Sequence, residues 1–189
     1  MILSNTEILQ AITEGYLKIG DLKGNENPGE EPFNTSSIDL HLDSDLAEPE
    51  EIPAAFDLRK KGLPEYLRKN SKSFTITESL PRSLDPGQFL IGKTQEFVDF
   101  PLVPDKPRLA ARVEGRSGVA RCGILVHFTA PTIHAGFDGT ITLEIKNLSP
   151  MSFLLFPGMR ICQLIIEEVK GEIVLTPSQF RGQTTPTGG

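Results

Sequence analysis

From Gly139 to Leu148 apolar and polar side chains alternate, with Ile141, Leu143 and Ile145 on one parity and Thr142, Glu144 and Lys146 on the other. Such alternation places the two sets on opposite faces of an extended strand, one toward a core and one away from it. Short β-type runs fill the chain from residue 73 onward, at 73–80, 87–98, 108–115, 123–130, 139–148, 151–156, 160–169 and 172–177. Pro, Gly, Asn or Asp separates them, with turn signals at 85–87 and 157–158. Many short strands at this spacing predict a sandwich or barrel-like β fold. Before residue 73 the pattern differs. Ser4 followed by Glu7 makes a capping box, and Ile8, Leu9, Ile12 and Leu17 recur at helical spacing behind it. This predicts an amphipathic helix over 4–18, within an N-terminal segment 1–20. Residues 21–35 are polar and rich in Gly, Pro and Asn and read as a loop, whereas 36–42 alternate and read as a strand. A short helix fits 64–69 in an otherwise mixed, acidic stretch. The small, polar residues of the C-terminus predict a segment that is mobile unless a ligand orders it.

The length of 189 residues predicts one domain, and a 38% hydrophobic content is enough to build its core. With 19 Lys plus Arg against 25 Asp plus Glu, the net charge of −6 argues against non-specific binding to nucleic acid or membrane surfaces. A phosphate-bearing ligand stays compatible if a few arginines and a divalent cation carry its charge. Cys122 and Cys162 each lie in an apolar, strand-like run and read as buried free thiols. The start "MILSNTEILQ" lacks a signal-peptide layout, and no apolar run approaches the ~20 residues of a membrane span. The expectation is a soluble cytoplasmic protein.

Several chemistries fail on spacing. His41, His127 and His134 sit in "DLHLD", "LVHFT" and "TIHAG", and none belongs to an HExxH helix. There is no Cys-x-x-Cys pair, so the zinc deaminase signature is missing too. "EGRSGVA" does not satisfy the Gly-x-Ser-x-Gly elbow, and Gly-rich phosphate loops are not found. What remains is Arg116, Ser117 and Arg121, followed by Glu144. Two arginines and a serine within six residues at a Gly-flanked turn can cradle an anion. The same residues also make an ordinary turn, and Glu144 is either a solvated carboxylate or a proton shuttle aimed into a pocket.

The stretch "RLAARVEGRSGVARCGILVHFTAPTIHAGFDGTITLEIKN" with the later "FPGMRICQL" resembles the dCTP deaminase branch of the trimeric dUTPase superfamily. "MILSNTEI", "SSIDLHL" and "DPGQFLIGKTQEFVDFP" extend the likeness over most of the chain. The resemblance implies a single, mainly β domain over 1–189: a distorted β-barrel or jelly-roll-like, dUTPase-type fold with an N-terminal helix and short extra helices. Its β core would span 74–175 and a flexible lid 176–189, and homotrimers would hold active sites between subunits. The implied reaction is zinc-independent hydrolysis of dCTP to dUTP and ammonia, with dTTP as a possible inhibitor. Glu144 would be general base and proton shuttle, and Ser117 and Arg121 would hold the water and stabilise developing charge. Arg116, Gly118, Val119 and Ala120 would face the phosphates. The Ala130 carbonyl would help bind the attacking water, and backbone groups of Thr142 and Leu143 would meet the base. Ile133, His134 and Gly136 would lie at the sugar, while Gln163, Arg181 and Gln183 would reach the phosphates. Mg²⁺ would be held mainly by phosphate oxygens and water, with no zinc.

Three departures from the family pattern stand out. His134 replaces an aspartate of the Ile-Asp-Pro-Gly turn, Gly118 replaces the second serine of "RSS", and Gln179 and Phe180 stand where Lys and Tyr are usual. Two alternatives stay open beside deamination to dUTP: a bifunctional enzyme giving dUMP and diphosphate, against which His134 speaks, and a non-catalytic nucleotide-binding paralogue, which the altered turn and the thin tail motivate.

Overall fold

The structure, a computed structural model, describes residues 1–20, 27–51, 55–174 and 182–187. It opens with helix α1 (Asn5–Thr13), whose capping box forms as expected: the Ser4 side chain accepts from the Glu7 amide, and the Glu7 carboxylate accepts from the Ser4 amide at 3.0 Å. The helix is shorter than the periodicity predicts. Gly15 takes φ +77°, and the Tyr16 and Leu17 amides both turn back onto the Ala11 carbonyl at 3.1 and 3.2 Å. Glycine tolerates that left-handed backbone, so the chain leaves the helix there. Leu17, which keeps helical phase, reaches the core from beyond the turn and is fully buried.

The remaining elements are β1 (Lys18–Ile19), β2 (Phe33–Asn34), β3 (Ser37–His41), β4 (Asp45–Pro49), α2 (Leu63–Lys69), β5 (Ser71–Thr75), β6 (Arg82–Leu84) and β7 (Phe89–Asp99). They continue with β8 (Arg108–Gly115), α3 (Ser117–Arg121), β9 (Ile124–Val126), β10 (Thr132–Ile133), β11 (Asp138–Asn147), β12 (Phe153–Leu155) and β13 (Arg160–Val169). The fold is therefore mainly β. Among the described residues, one sheet runs β5-β4-β7-β11-β9 with β1 also on β7, a second runs β10-β8-β13-β3-β2, and β12 pairs with β6. Apolar residues of both larger sheets meet in one core that includes Ile38, Leu40, Leu90, Val113, Leu143, Ile145 and Leu164. Cys162 lies fully buried within it as a free thiol, and Cys122 is a half-buried free thiol. The run 172–177 does not extend the β core: Glu172–Val174 form no strand, Val174 is exposed, and the rest lies outside the described residues. Gly171, at φ +100°, turns the chain away after β13.

A bulge sets the position of β11. From Thr140 to Thr142 the register moves two residues along β11 but four along β7, from Phe97 to Lys93. The fully buried Thr94 side chain fills the gap, its Oγ1 accepting from the Ile141 amide and donating to the Glu96 carbonyl, both at 2.9 Å. Glu96 leaves the bulge for the other sheet, where its carboxylate accepts from the His41 amide at 3.0 Å and lies 2.6 Å from the ring Nδ1. Thr94→Val keeps the shape and orphans the Ile141 amide. Urea unfolding should report a loss of about 1–3 kcal/mol.

Candidate active site

The alternation read from the sequence holds in β11. Ile141, Leu143 and Ile145 are buried, while Thr142, Glu144 and Lys146 lie half-buried on the opposite face. Glu144 is not a free surface carboxylate. Its Oε2 lies 3.1 Å from Nδ1 of His127, the residue that follows β9. His127 adopts φ +62°, a left-handed conformation that is uncommon outside glycine but that histidine, like asparagine and aspartate, takes more readily than most residues. Its amide donates to the Glu144 carbonyl at 2.9 Å, so main chain and side chain both lock onto the same partner. Nδ1 also lies 3.1 Å from the Thr142 carbonyl, and Nε2 lies 2.9 Å from the Ala130 carbonyl. Acceptors at both ring nitrogens suit an imidazolium, which donates from each.

The electrostatics agree. Burial pushes His127 down, but the Glu144 carboxylate and the two carbonyls outweigh it and hold His127 above its ordinary 6.5. Burial likewise pushes Glu144 up, and the hydrogen bond and charge of His127 overcome this and hold Glu144 below its ordinary 4.5. His127 is therefore the basic group beside Glu144. The His127 side chain is only 8% exposed and that of Glu144 36%, so the carboxylate is the reachable member of the pair. Two residues before it, the Thr142 hydroxyl is buried and has no hydrogen-bond partner among the described residues.

The arginine and serine loop lies elsewhere in the chain. What reads as a Gly-flanked turn is one turn of helix, α3, with Arg116 as its N-cap. Ser117, Gly118, Ala120 and Arg121 are exposed, and half-buried Val119 packs against the core. The first amides of such a turn have no acceptor within it. Gly118 is not required by the backbone: its φ is ordinary, and a Cβ there would meet nothing within 4 Å. The β9–β11 ladder pairs Ile124 with Asn147 and Val126 with Ile145, so α3 precedes the Asn147 end. Glu144 lies three residues further back, about 10 Å along the strand. Among the described residues no hydrogen bond or ion pair joins Glu144 to Ser117 or Arg121. Arg116 turns instead to Asp39, and the Gln163 carbonyl Oε1 accepts from the Ser37 hydroxyl at 3.0 Å.

At the other end of β11 the turn 133–137 and the C-terminal segment come together. Ile133 is buried in β10, His134 is exposed, and Gly136 takes φ +81° while its amide donates to the Phe100 carbonyl at 2.9 Å. The Gly182 amide donates to the Asp138 carbonyl at 2.7 Å, and the Thr140 amide donates to the Gln183 carbonyl at 2.9 Å. The Gln183 side chain, buried, donates Nε2 to the Thr140 carbonyl at 2.9 Å. Gly139 makes this approach possible, because a Cβ there would sit 2.9 Å from the Gln183 carbonyl oxygen. Gln183 thus docks on β11, and Arg181 lies outside the described residues. His127 is the residue that the sequence reading passed over as chemistry; its one signal was its place in "VHFTA" beside the block that carries the resemblance.

A carboxylate held on a strand by a buried imidazole, with an arginine-bearing helical turn set apart from it, defines a mainly β protein with two separate polar clusters. The dCTP deaminase-like family profile matches residues 2–169, and the chain belongs to that family. It is 36% identical over 168 residues to a "dCTP deaminase, dUMP-forming" of Methanobrevibacter smithii, covering 88% of this chain and 79% of that protein. It is 32% identical over 182 residues to a "dCTP deaminase" of Thermomicrobium roseum, covering 96% and 87%. Among solved structures, the 2'-deoxycytidine 5'-triphosphate deaminase of Agrobacterium tumefaciens superposes with a TM-score of 0.64 at 19% identity. That match covers 87% of this chain and 47% of the other, and it supports the fold.

Proposed function

We propose that this protein hydrolyses dCTP to dUTP and ammonia, with Glu144 as the group that moves protons. The observation that carries the reading is the half-exposed Glu144 carboxylate fixed by His127 on the polar face of β11. Held below its ordinary range, Glu144 is ionised at neutral pH and ready to accept a proton from a water attacking C4 of the cytosine. It returns that proton to the ring nitrogen and carries the next to the departing amine, so that water and dCTP become dUTP and ammonia. His127, fixed by the carbonyls of Ala130 and Thr142, keeps one oxygen of the carboxylate engaged and fixes its orientation. Both ring nitrogens are occupied, and burial pushes the Cys162 thiol far up, so neither residue is offered as a zinc ligand. Ser117 and Arg121 stabilise charge on the reacting water and base, and Arg116 and Gln163 take the phosphates. The 116–121 turn offers a hydroxyl and guanidinium groups but no carboxylate. Mg²⁺ therefore fits as a companion of the phosphates rather than as an ion in a protein cage.

The displacement of α3 from Glu144 supports a site completed by a neighbouring subunit, as in a homotrimer. Exposed Leu125, Leu148, Met151 and Leu154 supply apolar surface near α3 for that contact. Glu144→Gln and Arg121→Ala chains, each inactive alone, should regain turnover when refolded together, because about a quarter of mixed sites then carry both native residues. No recovery would place the whole site in one subunit. Chromatography of products from dCTP and Mg²⁺, with and without a zinc chelator, tests the reaction. A second reading, release of dUMP and diphosphate, is favoured by the dUMP-forming relatives, and dUMP as the first product would select it.

A further inference from the structure

Two polar side chains of β3 are buried on the outward face of their sheet. Ile38 and Leu40 enter the core, whereas Ser37 and Asp39 point the other way and are still only 5% and 3% exposed. Groups covered this deeply are retained when they satisfy specific partners. Asp39 Oδ2 lies 3.2 Å from Arg116 Nη2, and Oδ1 accepts from the Asn34 side-chain Nδ2 at 3.0 Å. Arg160 is 3.8 Å from the same Oδ2 but is also paired with Glu31, so Arg116 has the closer claim on Asp39. Ser37, two residues back on the same face, donates its hydroxyl to Gln163 Oε1.

We infer that Asp39, seconded by Ser37, is a positioning residue for the triphosphate of the substrate. The inference rests on the deaminase reading above. Asp39 engages a single terminal nitrogen of Arg116, and a guanidinium carries five N–H donors in a rigid fork, so the others stay available to an anion. The Arg116 side chain is 31% exposed, enough to be reached. Ser37 acts in the complementary sense. By occupying the carbonyl oxygen of Gln163 it leaves the amide NH₂, the end that can donate to a phosphate. Both contacts are made before substrate arrives, which removes part of the ordering cost of two long side chains on binding. The benefit falls on ground-state binding, hence on KM rather than kcat.

The test is steady-state deamination of dCTP by wild type, Asp39→Asn, Arg116→Gln and the double variant, with circular dichroism melting of each. Asp39→Asn keeps the shape and should raise KM about tenfold with kcat within about twofold. In the Arg116→Gln background it should add nothing, since the effect passes through Arg116. Ser37→Ala, a second route if the Asn variant does not fold, should raise KM about threefold and add nothing to Gln163→Ala. An unchanged or lowered KM, or an equal rise with and without Arg116, would overturn the inference alone. A wild-type chain that makes no uracil nucleotide would instead sink the deaminase reading and the inference with it.

Discussion

Glu144→Gln should abolish ammonia release from dCTP, lowering kcat by about 10²–10⁴-fold, the range that a positioned proton-transfer group supplies. Glutamine matches glutamate in shape, and its carbonyl oxygen can still accept from His127 Nδ1, so β11 and the His127 backbone should keep their places. What disappears is the ability to take a proton. Rapid-quench single-turnover rates, together with the melting curve, separate these effects. A dead variant with a near-native transition assigns Glu144 to the chemistry. Turnover within about tenfold of wild type removes it from that role.

The second large effect is on His127. An NMR titration should place the imidazole of the wild type above 6.5 and that of Glu144→Gln below it, because burial is the largest single influence and is then opposed only by neutral groups. The stability consequence follows from the direction of each shift. His127, raised when folded, contributes fully below 6.5 and loses its contribution as pH rises through the raised value. Glu144, lowered when folded, contributes above 4.5 and loses it as pH falls through the lowered value. The pair therefore stabilises the fold most between 4.5 and 6.5. His127→Asn, which tolerates the positive φ, should show its greatest deficit in urea midpoint at about pH 5.5 and a smaller one at about pH 9. A deficit independent of pH would mean that the pair is not ionic.

The faces of β11 were legible because period-two alternation needs no long-range information: Ile141, Leu143 and Ile145 announce the core, and Glu144 follows on the other side. The capping box at Ser4 and Glu7 was legible for the same local reason. The end of α1 was not, because Leu17 stays in helical phase after Gly15 has already turned the chain. Nor does spacing show that His127 faces Glu144. That contact depends on a positive φ at the end of β9 and on a ladder that brings two separated strands side by side. The bulge at Thr94 depends on which hydroxyl fills the gap, and alternation in β7 does not report it. The resemblance supplied the family, pointed to Ser117, Arg121 and Glu144 and implied a site shared between subunits, but it gave no hint that His127 is the partner of Glu144 within the chain.

The docking of Gly182 and Gln183 has a consequence for assembly. β9 covers β11 only from Ile145 to Asn147, so the main-chain groups of Asp138 and Thr140 would form an open sheet edge without the C-terminal segment. An uncovered edge is a template for any extended chain, and proteins that expose one recruit strands from other copies. The segment is thus also an edge guard. Two of its hydrogen bonds to β11 run backbone to backbone, and two more use the Thr140 hydroxyl and the Gln183 side-chain amide. The tail of another copy carries the same groups for its side of these bonds, so shortening the chain before Gly182 is expected to favour strand exchange and aggregation.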